Sequence, residues 1–532
     1  MKTTGSLGKA KKIVCLALAA GIMLTSAACS SSQGAAPAGN TTGSAAAAAP
    51  ASKLITIGMS SDAANLDPVN AKDNADIWLI TVLGEGLVQC SADGKQIVPC
   101  LAEKWDISKD SLTYTFHLRS GVKFSDGTAL TADDCVYSLK RARDTQSSQW
   151  AFSLTDVKDI TAKDASTVVL TLKEPSAAIL SDLAMFNACI MPKAYCEKAG
   201  DTGISQKPVS TGPYMLDEWK KGESVSFKKN PYYWQSGKPK TDAIKFTVVP
   251  DDNSRQMQLQ SGAIDIDAMT PCNLMKTAAS NTKIDAKTYP STMVYYVTMN
   301  TTKDTLKDAK VRQALEYATN KDALSKTVTY GYGKKSVSFI CEADPYFDTK
   351  LQDAHNYDVS KAKQLLAEAG KSNLTLGIQI PSGNTLYQQI ATVLKEQWAQ
   401  AGVTLNITQL DRTAVKSAFK GLTYELVLNG WNNDITDTSE WIDYACVYSN
   451  DKCSFTGWKN ADVENWAAQA KKELDSTKRQ ELYSKIQEAF QNDAPQIPLF
   501  SVPNTVSMSK KISGFVQDPL GYYHFQDLAK AG

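Results

Sequence analysis

The feature that most constrains the fold is a regular alternation of strand and helix patterns in the second half of the chain. Apolar strand-like runs are separated by segments whose apolar side chains recur at helical spacing. Such an order predicts a doubly wound α/β sheet, because right-handed crossovers place helices on both faces of a parallel sheet. The strand patterns cover residues 374–380, 403–407 and 424–429, and the helix patterns cover residues 386–401 and 413–420.

A second α/β unit is predicted earlier in the chain. Residues 244–249 read as a strand, residues 253–260 as a helix ended by Gly262, and residues 263–268 as another strand. This order again favours a parallel sheet. An apolar strand pattern at residues 54–58 opens the folded part of the chain, and the 532 residues are too many for one compact core.

Residues 91–208 have a pattern of their own and are predicted to be an insertion. Residues 112–118 and 167–172 alternate as strands. Thr131 and Asp134 form a capping-box pattern for a helix that runs to about Arg143. Two lobes with a side domain therefore follow. The break between the lobes is predicted near residues 290–300, where residues 293–297 form an apolar strand able to cross, and a second crossing is predicted at residues 497–500.

Charge and histidine content exclude several classes of function. The formal net charge is +1, so no basic surplus indicates nucleic-acid binding. The three histidines, His117, His355 and His524, are far apart in sequence, which disfavours a histidine metal site or a catalytic triad. We expect no cofactor and no metal.

The N-terminus predicts export. Lys9, Lys11 and Lys12 precede an apolar run at residues 13–28 that is too short to span a membrane. The following Cys29, after Ser26-Ala27-Ala28, resembles a lipobox cysteine, and plain cleavage after Ala28 is the alternative. Residues 1–28 are thus the predicted lipoprotein signal peptide. Residues 29–52, rich in Ser, Gly, Ala and Thr, are the predicted flexible tether from a lipidated Cys29.

Cysteine usage leaves two interpretations open. Cys90/Cys100, Cys189/Cys196 and Cys446/Cys453 are close enough in sequence to form disulfides in an exported protein. Buried free thiols that act as small apolar side chains are the alternative. The sequence contains no CxxC pattern, so a zinc or redox site is not indicated.

Two loops are candidates for a ligand site, because ligands of open α/β sheets bind beyond the carboxyl ends of the strands. One loop is residues 60–74, and the other is residues 430–437, after the strand at 424–429. The second contains Trp431, Asn432, Asn433 and Asp434, which combine an apolar plate, two amides and a carboxylate. A turn with a core tryptophan is the alternative interpretation of the same residues.

A set of motifs resembles the large extracellular solute-binding proteins of peptide and nickel ABC transporters (family 5). Residues 210–219, STGPYMLDEW, and 230–234, NPYYW, resemble the family hallmark of TGPY, a tryptophan and NPxYW. Further matches occur in the same order in FHLRSGVKFSDG, VRQAL, LLAEAG and PQIPL, at residues 116–127, 311–315, 365–370 and 495–499.

The resemblance implies a periplasmic-binding-protein fold of type II, cluster C. Such a protein has two lobes, an extra side domain in lobe I and a ligand cleft between the lobes. In this chain the implied parts are lobe I at 53–90, 209–295 and 500–532, its side domain at 91–208, and lobe II at 296–499.

The resemblance also implies the ligand contacts. In peptide-binding members an Asp in a GWxxD motif holds the ligand ammonium, and residues 430–434 match this motif with Asp434 in that role. Trp431, Asn432 and Asn433 accompany it, and Asn70, Tyr295 and Phe500 are the further expected contacts. Leu428 stands where some oligopeptide binders have Arg, and no Arg lies between residues 313 and 411. The length and charge of the ligand therefore stay open.

The expected function is capture of dipeptides or oligopeptides by a monomeric lipoprotein on the outer side of the cell membrane. The ligand would be delivered to ABC-transporter permease subunits, without a chemical step. The same fold with a nickel chelate or an oligosaccharide as ligand is the first alternative. A hydrolase that uses Asp434 and Asp437, and a sensor that presents its ligand to a receptor, are the others.

Overall fold

A computed structural model describes residues 54–342, 344–351, 354–449 and 455–531. The predicted signal peptide, the tether and Cys29 lie outside these ranges. In chain order, the strands are β1 (Leu54–Met59), β2 (Val88–Cys90), β3 (Ile97–Pro99), β4 (Ala102–Ile107), β5 (Thr113–Leu118), β6 (Val157–Asp164), β7 (Thr167–Leu172), β8 (Tyr214–Lys220), β9 (Ser224–Lys229), β10 (Ala243–Val248), β11 (Ile266–Asp267), β12 (Ile284–Tyr289), β13 (Val294–Met299), β14 (Lys334–Lys335), β15 (Leu374–Pro381), β16 (Val403–Leu410), β17 (Leu426–Trp431), β18 (Gln496–Ser501), β19 (Asn504–Ser509), β20 (Ile512–Ser513) and β21 (Ala529–Lys530).

The α-helices surround these strands, and none of the described helices is long and apolar enough to cross a membrane. In chain order, they are α1 (Asn74–Leu83), α2 (Ala132–Asp144), α3 (Ile179–Leu183), α4 (Lys193–Gln206), α5 (Asp252–Ser261), α6 (Cys272–Ser280), α7 (Ala309–Tyr317), α8 (Lys321–Val328), α9 (Val359–Glu368), α10 (Thr385–Gln400), α11 (Arg412–Lys420), α12 (Ser439–Cys446), α13 (Ala461–Lys472) and α14 (Ser476–Asp493).

The first sheet has seven strands in the order β12-β19-β11-β1-β10-β9-β8. Strand β1 pairs in parallel with both β10 and β11, which confirms the predicted parallel strand-helix-strand unit. Strand β11 covers only two residues, fewer than the predicted 263–268. The preceding Asp265 instead turns its carboxylate to the backbone N–H of Thr56, 3.0 Å away.

The second sheet has six strands in the order β14-β18-β13-β17-β15-β16. Strand β15 pairs in parallel with β16 and β17, so the predicted β-α-β-α-β unit is confirmed. Its helix α10 buries Ile390, Leu394 and Trp398 against the sheet, as the helical spacing predicts. Strands β13 and β18 are antiparallel to their neighbours in this sheet.

The chain passes between the two sheets at two short connections in the described ranges. One is residues 290–293, between β12 and β13, and the other is residues 502–503, between β18 and β19. The first connection lies within the range 290–300 predicted from the sequence, and the second lies just beyond the predicted apolar strand at 497–500. Strands β13 and β18 are apolar because they pair with each other inside the second sheet. The crossings therefore lie just outside them.

A third, antiparallel sheet has the order β4-β5-β7-β6 and lies within the predicted insertion. Helix α2 covers it and begins with the predicted capping box. Asp134 accepts hydrogen bonds from the backbone N–H and the hydroxyl of Thr131, at 2.9 and 2.7 Å. We call the first and third sheets with their helices the first lobe, and the second sheet with its helices the second lobe.

Two of the three predicted disulfides are absent from the described part of the chain, which supports the interpretation of these cysteines as buried free thiols. Cys90, Cys100, Cys189 and Cys196 carry free, buried thiols. Burial raises the pKa of the Cys189 and Cys196 thiols to about 12, so they are inert neutral groups. Cys453 lies outside the described residues.

Glu85 ties the end of α1 to the NPYYW segment in the first lobe. Its carboxylate accepts hydrogen bonds from the Tyr233 hydroxyl and the Trp234 indole N–H, each at 3.0 Å. Burial raises the pKa of Glu85 to about 7, and these donors offset only part of the burial effect. The motif at 230–234 thus closes over an acid that is hard to ionise.

Glu85 should make the stability of the protein depend on pH. Its folded pKa lies above its unfolded value of about 4.3. Its contribution to the free energy of unfolding is therefore largest below pH 4 and is lost as the pH rises to 7. We expect the wild type to lose about 2–3 kcal/mol relative to Glu85→Gln over this range in urea unfolding. Parallel pH profiles for the two proteins would contradict this assignment.

Candidate functional site

The loop at 430–437 begins where the central strand β17 ends beside β13. Gly430 faces Tyr295 across the two strands, and a Cβ at this position would come within 2.9 Å of the tyrosine ring. Glycine is therefore required for the close approach. Trp431 stacks on Tyr444 with ring centroids 4.2 Å apart, so its position is set by the aromatic core of the second lobe.

Tyr295 and Phe500 lie together, as their neighbouring strands require. Their rings stack with centroids 5.0 Å apart, and Tyr387 meets Tyr295 edge-on. Phe500 is fully buried, whereas Tyr295 is partly buried. The surface that these predicted contacts offer is therefore the tyrosine ring, with the phenylalanine behind it.

The two asparagines hold the loop rather than hang free from it. Asn433 donates from its backbone to the Thr292 hydroxyl, 3.0 Å away in the first crossing, and from its side chain to Asp344, 3.2 Å away. The Asn432 side chain donates to the backbone oxygen of Leu520 in the first lobe, at 3.2 Å. Burial raises the pKa of Asp344 to about 7.

Asp434 lies at the contact between the two lobes. Its side chain is buried, with 9% of the residue exposed. Its backbone N–H donates to Glu440 at 2.7 Å, and its backbone oxygen accepts from the Tyr522 hydroxyl of the first lobe at 2.9 Å. A carboxylate in a site that excludes water binds a cation more strongly than one on the surface.

Apolar and polar contacts continue across the same gap. Ile435 packs with Phe186, Leu520 and Tyr522 in one buried cluster. Thr436 and Ser181 share a hydrogen bond of 3.0 Å, and Lys472 pairs with Glu174 at 2.6 Å. The lobes therefore meet directly along the 430–437 loop.

Asn70 lies in the first lobe, and its side chain bonds to a residue of the same lobe. It donates to Asp67 at 2.8 Å, and Asp67 is bound at both oxygens by Arg141. Its neighbour Ala71 belongs to the buried cluster that Ile435 joins. The two loops predicted from sequence thus contribute to one buried cluster, through Ala71 and Ile435.

Asp437 anchors the end of the loop through a buried ion pair. Both of its oxygens accept from the guanidinium of Arg479 in α14, each at 2.6 Å. Burial alone would raise the pKa of Asp437, but the ion pair brings it below its ordinary value. This carboxylate has a structural role, which removes the acid pair that a hydrolase with Asp434 and Asp437 would need.

Several residues of this region were missed by the sequence prediction. Glu440 follows Asp434 by six residues in the first turn of α12, so a search for acids near the motif would find it. Asp344, Arg479 and Tyr522 come from distant parts of the chain and carry no sequence signal that links them to the loop.

The first lobe also contains a pocket beside this contact. Its lining includes Glu85, Met185, Phe186, Tyr233, Tyr522 and His524. Tyr522 therefore borders the pocket and also donates to Asp434. No group of three His, Cys, Asp or Glu side chains in the described ranges is arranged to hold a metal ion.

Comparison with known proteins identifies relatives over nearly the whole folded part. Residues 96–452 match the family of bacterial extracellular solute-binding proteins, family 5. The dipeptide-binding protein of Escherichia coli K12 is 30% identical over 83% of this chain and 88% of its own length. The glutathione-binding protein GsiB of Pectobacterium atrosepticum is 31% identical over 90% of this chain and 94% of its own length.

Solved structures show the same two-lobed architecture. The ABC transporter substrate-binding protein CtaP of Listeria monocytogenes has a TM-score of 0.82, with 26% identity over 90% of this chain and 100% of its own. The periplasmic binding protein DppA of Helicobacter pylori, in complex with the peptide STSA, has a TM-score of 0.79. It is 25% identical over 90% of this chain and 98% of its own. The fold is therefore that of the type II periplasmic binding proteins.

The Asp437–Arg479 pair should be essential for the stability of the second lobe. Arg479→Met leaves a buried carboxylate without its partner, and we expect a loss of about 3–5 kcal/mol in the free energy of unfolding. The double variant with Asp437→Asn should recover part of the loss. Lys478→Met, at an exposed neighbouring position, is the control and should change little. Urea denaturation measures all three, and an unchanged Arg479→Met variant would contradict this role.

Proposed function

Because the chain belongs to family 5 of the bacterial extracellular solute-binding proteins, we propose that it is the substrate-binding component of an ABC importer that captures short peptides between its two lobes. The relatives include a dipeptide-binding and a glutathione-binding protein, and one solved neighbour holds a four-residue peptide. The partner is the permease of the transporter. Members of this family are transport proteins rather than enzymes.

One observation carries the proposal. The buried Asp434 lies on the second lobe at the place where Tyr522 of the first lobe reaches it. A carboxylate at this gap can bind the ammonium group of a ligand only when the ligand is between the lobes. Ligand binding and lobe closure are thereby linked.

The mechanism follows from the two crossings. Movement of the lobes about residues 290–293 and 502–503 opens the contact at the 430–437 loop and admits a peptide. Asp434 accepts hydrogen bonds from the peptide ammonium, and closure excludes water and strengthens them. Thr292 donates its backbone N–H to Pro519 of the first lobe and accepts from Asn433. The crossing, the loop and the first lobe therefore move as connected parts.

Broad selectivity for side chains is part of the proposal. Backbone groups of the strand around Tyr295 and of Asn432 would pair with the peptide main chain, which all sequences share. Trp431, Asn433, Asn70 and the Tyr295–Phe500 pair would line the space around it. Leu428 takes the place of an Arg found in some oligopeptide binders, so the ligand carboxylate is held differently here.

Attachment to the membrane is proposed through Cys29, which lies outside the described residues. The lipobox-like segment that ends at Ala28 precedes a tether of small residues, and a tether is useful to a protein anchored at one end. The mature protein would work as a monomer next to its transporter.

Lipidation of Cys29 is expected to be visible by metabolic labelling. Cells that express the wild type should incorporate labelled palmitate into the protein, and cells that express Cys29→Ala should not. As a control, Cys29→Ala should still be detected outside the cytoplasm, which shows that the missing label is not due to missing protein. Label that persists in Cys29→Ala would exclude this anchor.

Asp434 should carry most of the affinity for a free amino terminus. We expect Asp434→Asn to bind a pool of di- to tetrapeptides about 10–100-fold more weakly, since a hydrogen bond to a charged group contributes about 1.5–3 kcal/mol. Isothermal titration calorimetry measures the change. Asp462→Asn, an exposed acid on the same lobe, is the matched control.

Parallel titrations separate the alternatives. If the protein binds a nickel–histidine chelate or an oligosaccharide but no peptide, the proposed ligand class is wrong and that alternative takes its place. Equal affinity of Asp434→Asn and wild type would remove Asp434 from the site. Mass spectrometry of peptides recovered after incubation should show them intact, and cleavage products would reopen the hydrolase interpretation.

A further inference from the structure

Glu440 is a second carboxyl group in the turn that carries Asp434. It lies in the first turn of α12, and 7% of the residue is exposed. Its Oε2 accepts from the backbone N–H of Asp434 at 2.7 Å and of Ile435 at 3.2 Å. These two bonds hold the carboxyl group against the Asp434 backbone.

The other oxygen of Glu440, Oε1, is a buried acceptor. Oε1 is buried and has no hydrogen-bond donor in the described part of the chain. The carboxyl group of Glu440 as a whole lies within hydrogen-bonding reach of the Asp434 carboxyl group. Oδ1 of Asn433, the residue before Asp434, is also buried and has no donor in the described part of the chain. Buried acceptors without donors are costly, so the turn is incomplete as it stands.

The groups around Glu440 favour its protonated form. Burial and then the Asp434 carboxylate raise the pKa of Glu440 well above its ordinary value, although the two backbone N–H groups act in the opposite direction. Tyr522 reaches the same turn from the first lobe, and Asp518 lies near Tyr522. Two basic side chains of the described part of the chain have other acidic partners, Arg479 with Asp437 and His524 with Asp518.

We propose that Glu440 is a second anchor for the ligand amine, which holds a proton when the site is empty and releases it to solvent when a primary ammonium group binds. This inference rests on the proposed function, because it concerns the same site. The acceptors then number three, one each from Asp434, Glu440 Oε1 and Asn433 Oδ1. A primary ammonium group has three N–H donors, so it matches this set.

The proton explains how two buried carboxyl groups coexist without a ligand. Two like charges this close do not both ionise, so one proton is shared between Asp434 and Glu440. The ligand ammonium supplies a positive charge in its place, and the O–H bond of Glu440 breaks with its proton going to water. The site therefore selects primary amines that are protonated. N-acetylated ligands lack the charge, and N-trimethylated ligands lack the donors.

The linkage has a definite sign. A site that releases one proton on binding gains affinity as the pH rises, by about tenfold per pH unit, until the free site loses the proton by itself. Measurements belong between pH 5 and 7, since the α-amino group of a peptide begins to lose its own proton near pH 7.7–8.0.

Calorimetry in buffers of different ionisation enthalpy counts the protons. At pH 6, we expect the wild type to release about one proton for each peptide bound from a pool of free-amine di- to tetrapeptides. Glu440→Gln mimics the protonated form, and it should release about none and show an affinity that is flat with pH. Glu481→Gln, an exposed position on α14, should behave as the wild type.

The outcomes separate this inference from the function on which it rests. Equal binding of the free and the N-acetylated pools, or none of either, overturns the proposed peptide-amine site itself. Binding that requires the free amine and Asp434 but releases no proton overturns only the role of Glu440. So does equal proton release by wild type and Glu440→Gln. If Glu440→Gln fails to fold, the proton count and the pH slope of the wild type decide the question alone.

Discussion

The rest of the structure depends on the two short connections through which the chain passes between its sheets. Strands β13 and β18 pair with each other inside the second sheet, and the chain leaves that sheet directly beyond their ends. The crossings are therefore side by side. Thr292 in the first crossing bonds to Asn433 and to Pro519, so this crossing is connected directly to the 430–437 loop and to the first lobe.

The loop between the lobes shows how a buried polar segment is kept in place. One end is held by the aromatic contacts of Trp431, and the other by the buried pair of Asp437 and Arg479. Between them, backbone and side-chain donors find acceptors on both lobes. Two buried acceptors, Asn433 Oδ1 and Glu440 Oε1, have no donor in the described part of the chain, and both belong to the segment proposed to bind the ligand cation. The two ends of this short segment thus stabilise the fold, and its middle is the part proposed to bind the ligand.

Much of the fold was predictable from periodicity and stop signals. The helical spacing at residues 386–401 predicted α10, and the capping-box pattern predicted the start of α2. The limits of β11 were not, because the strand covers only Ile266 and Asp267 and the apolar pattern of 263–268 does not mark where pairing begins and ends. The second crossing was predicted at 497–500 and lies at 502–503, because residues 497–500 are part of β18. An apolar strand indicates burial, but it does not tell which sheet buries it.

The sequence by itself determined the two α/β lobes, the inserted side domain and the motif that carries Asp434, because these depend on local spacing and on short runs of residues. Only the tertiary structure decided that Asp437 forms an ion pair with Arg479. It also decided that Tyr522 of the first lobe and Glu440 both bond to the backbone of Asp434. Partners as distant as 88 residues along the chain meet through the packing of whole lobes. The protonation of a carboxyl group depends on those neighbours and on the water that they exclude, and neither is written in local spacing.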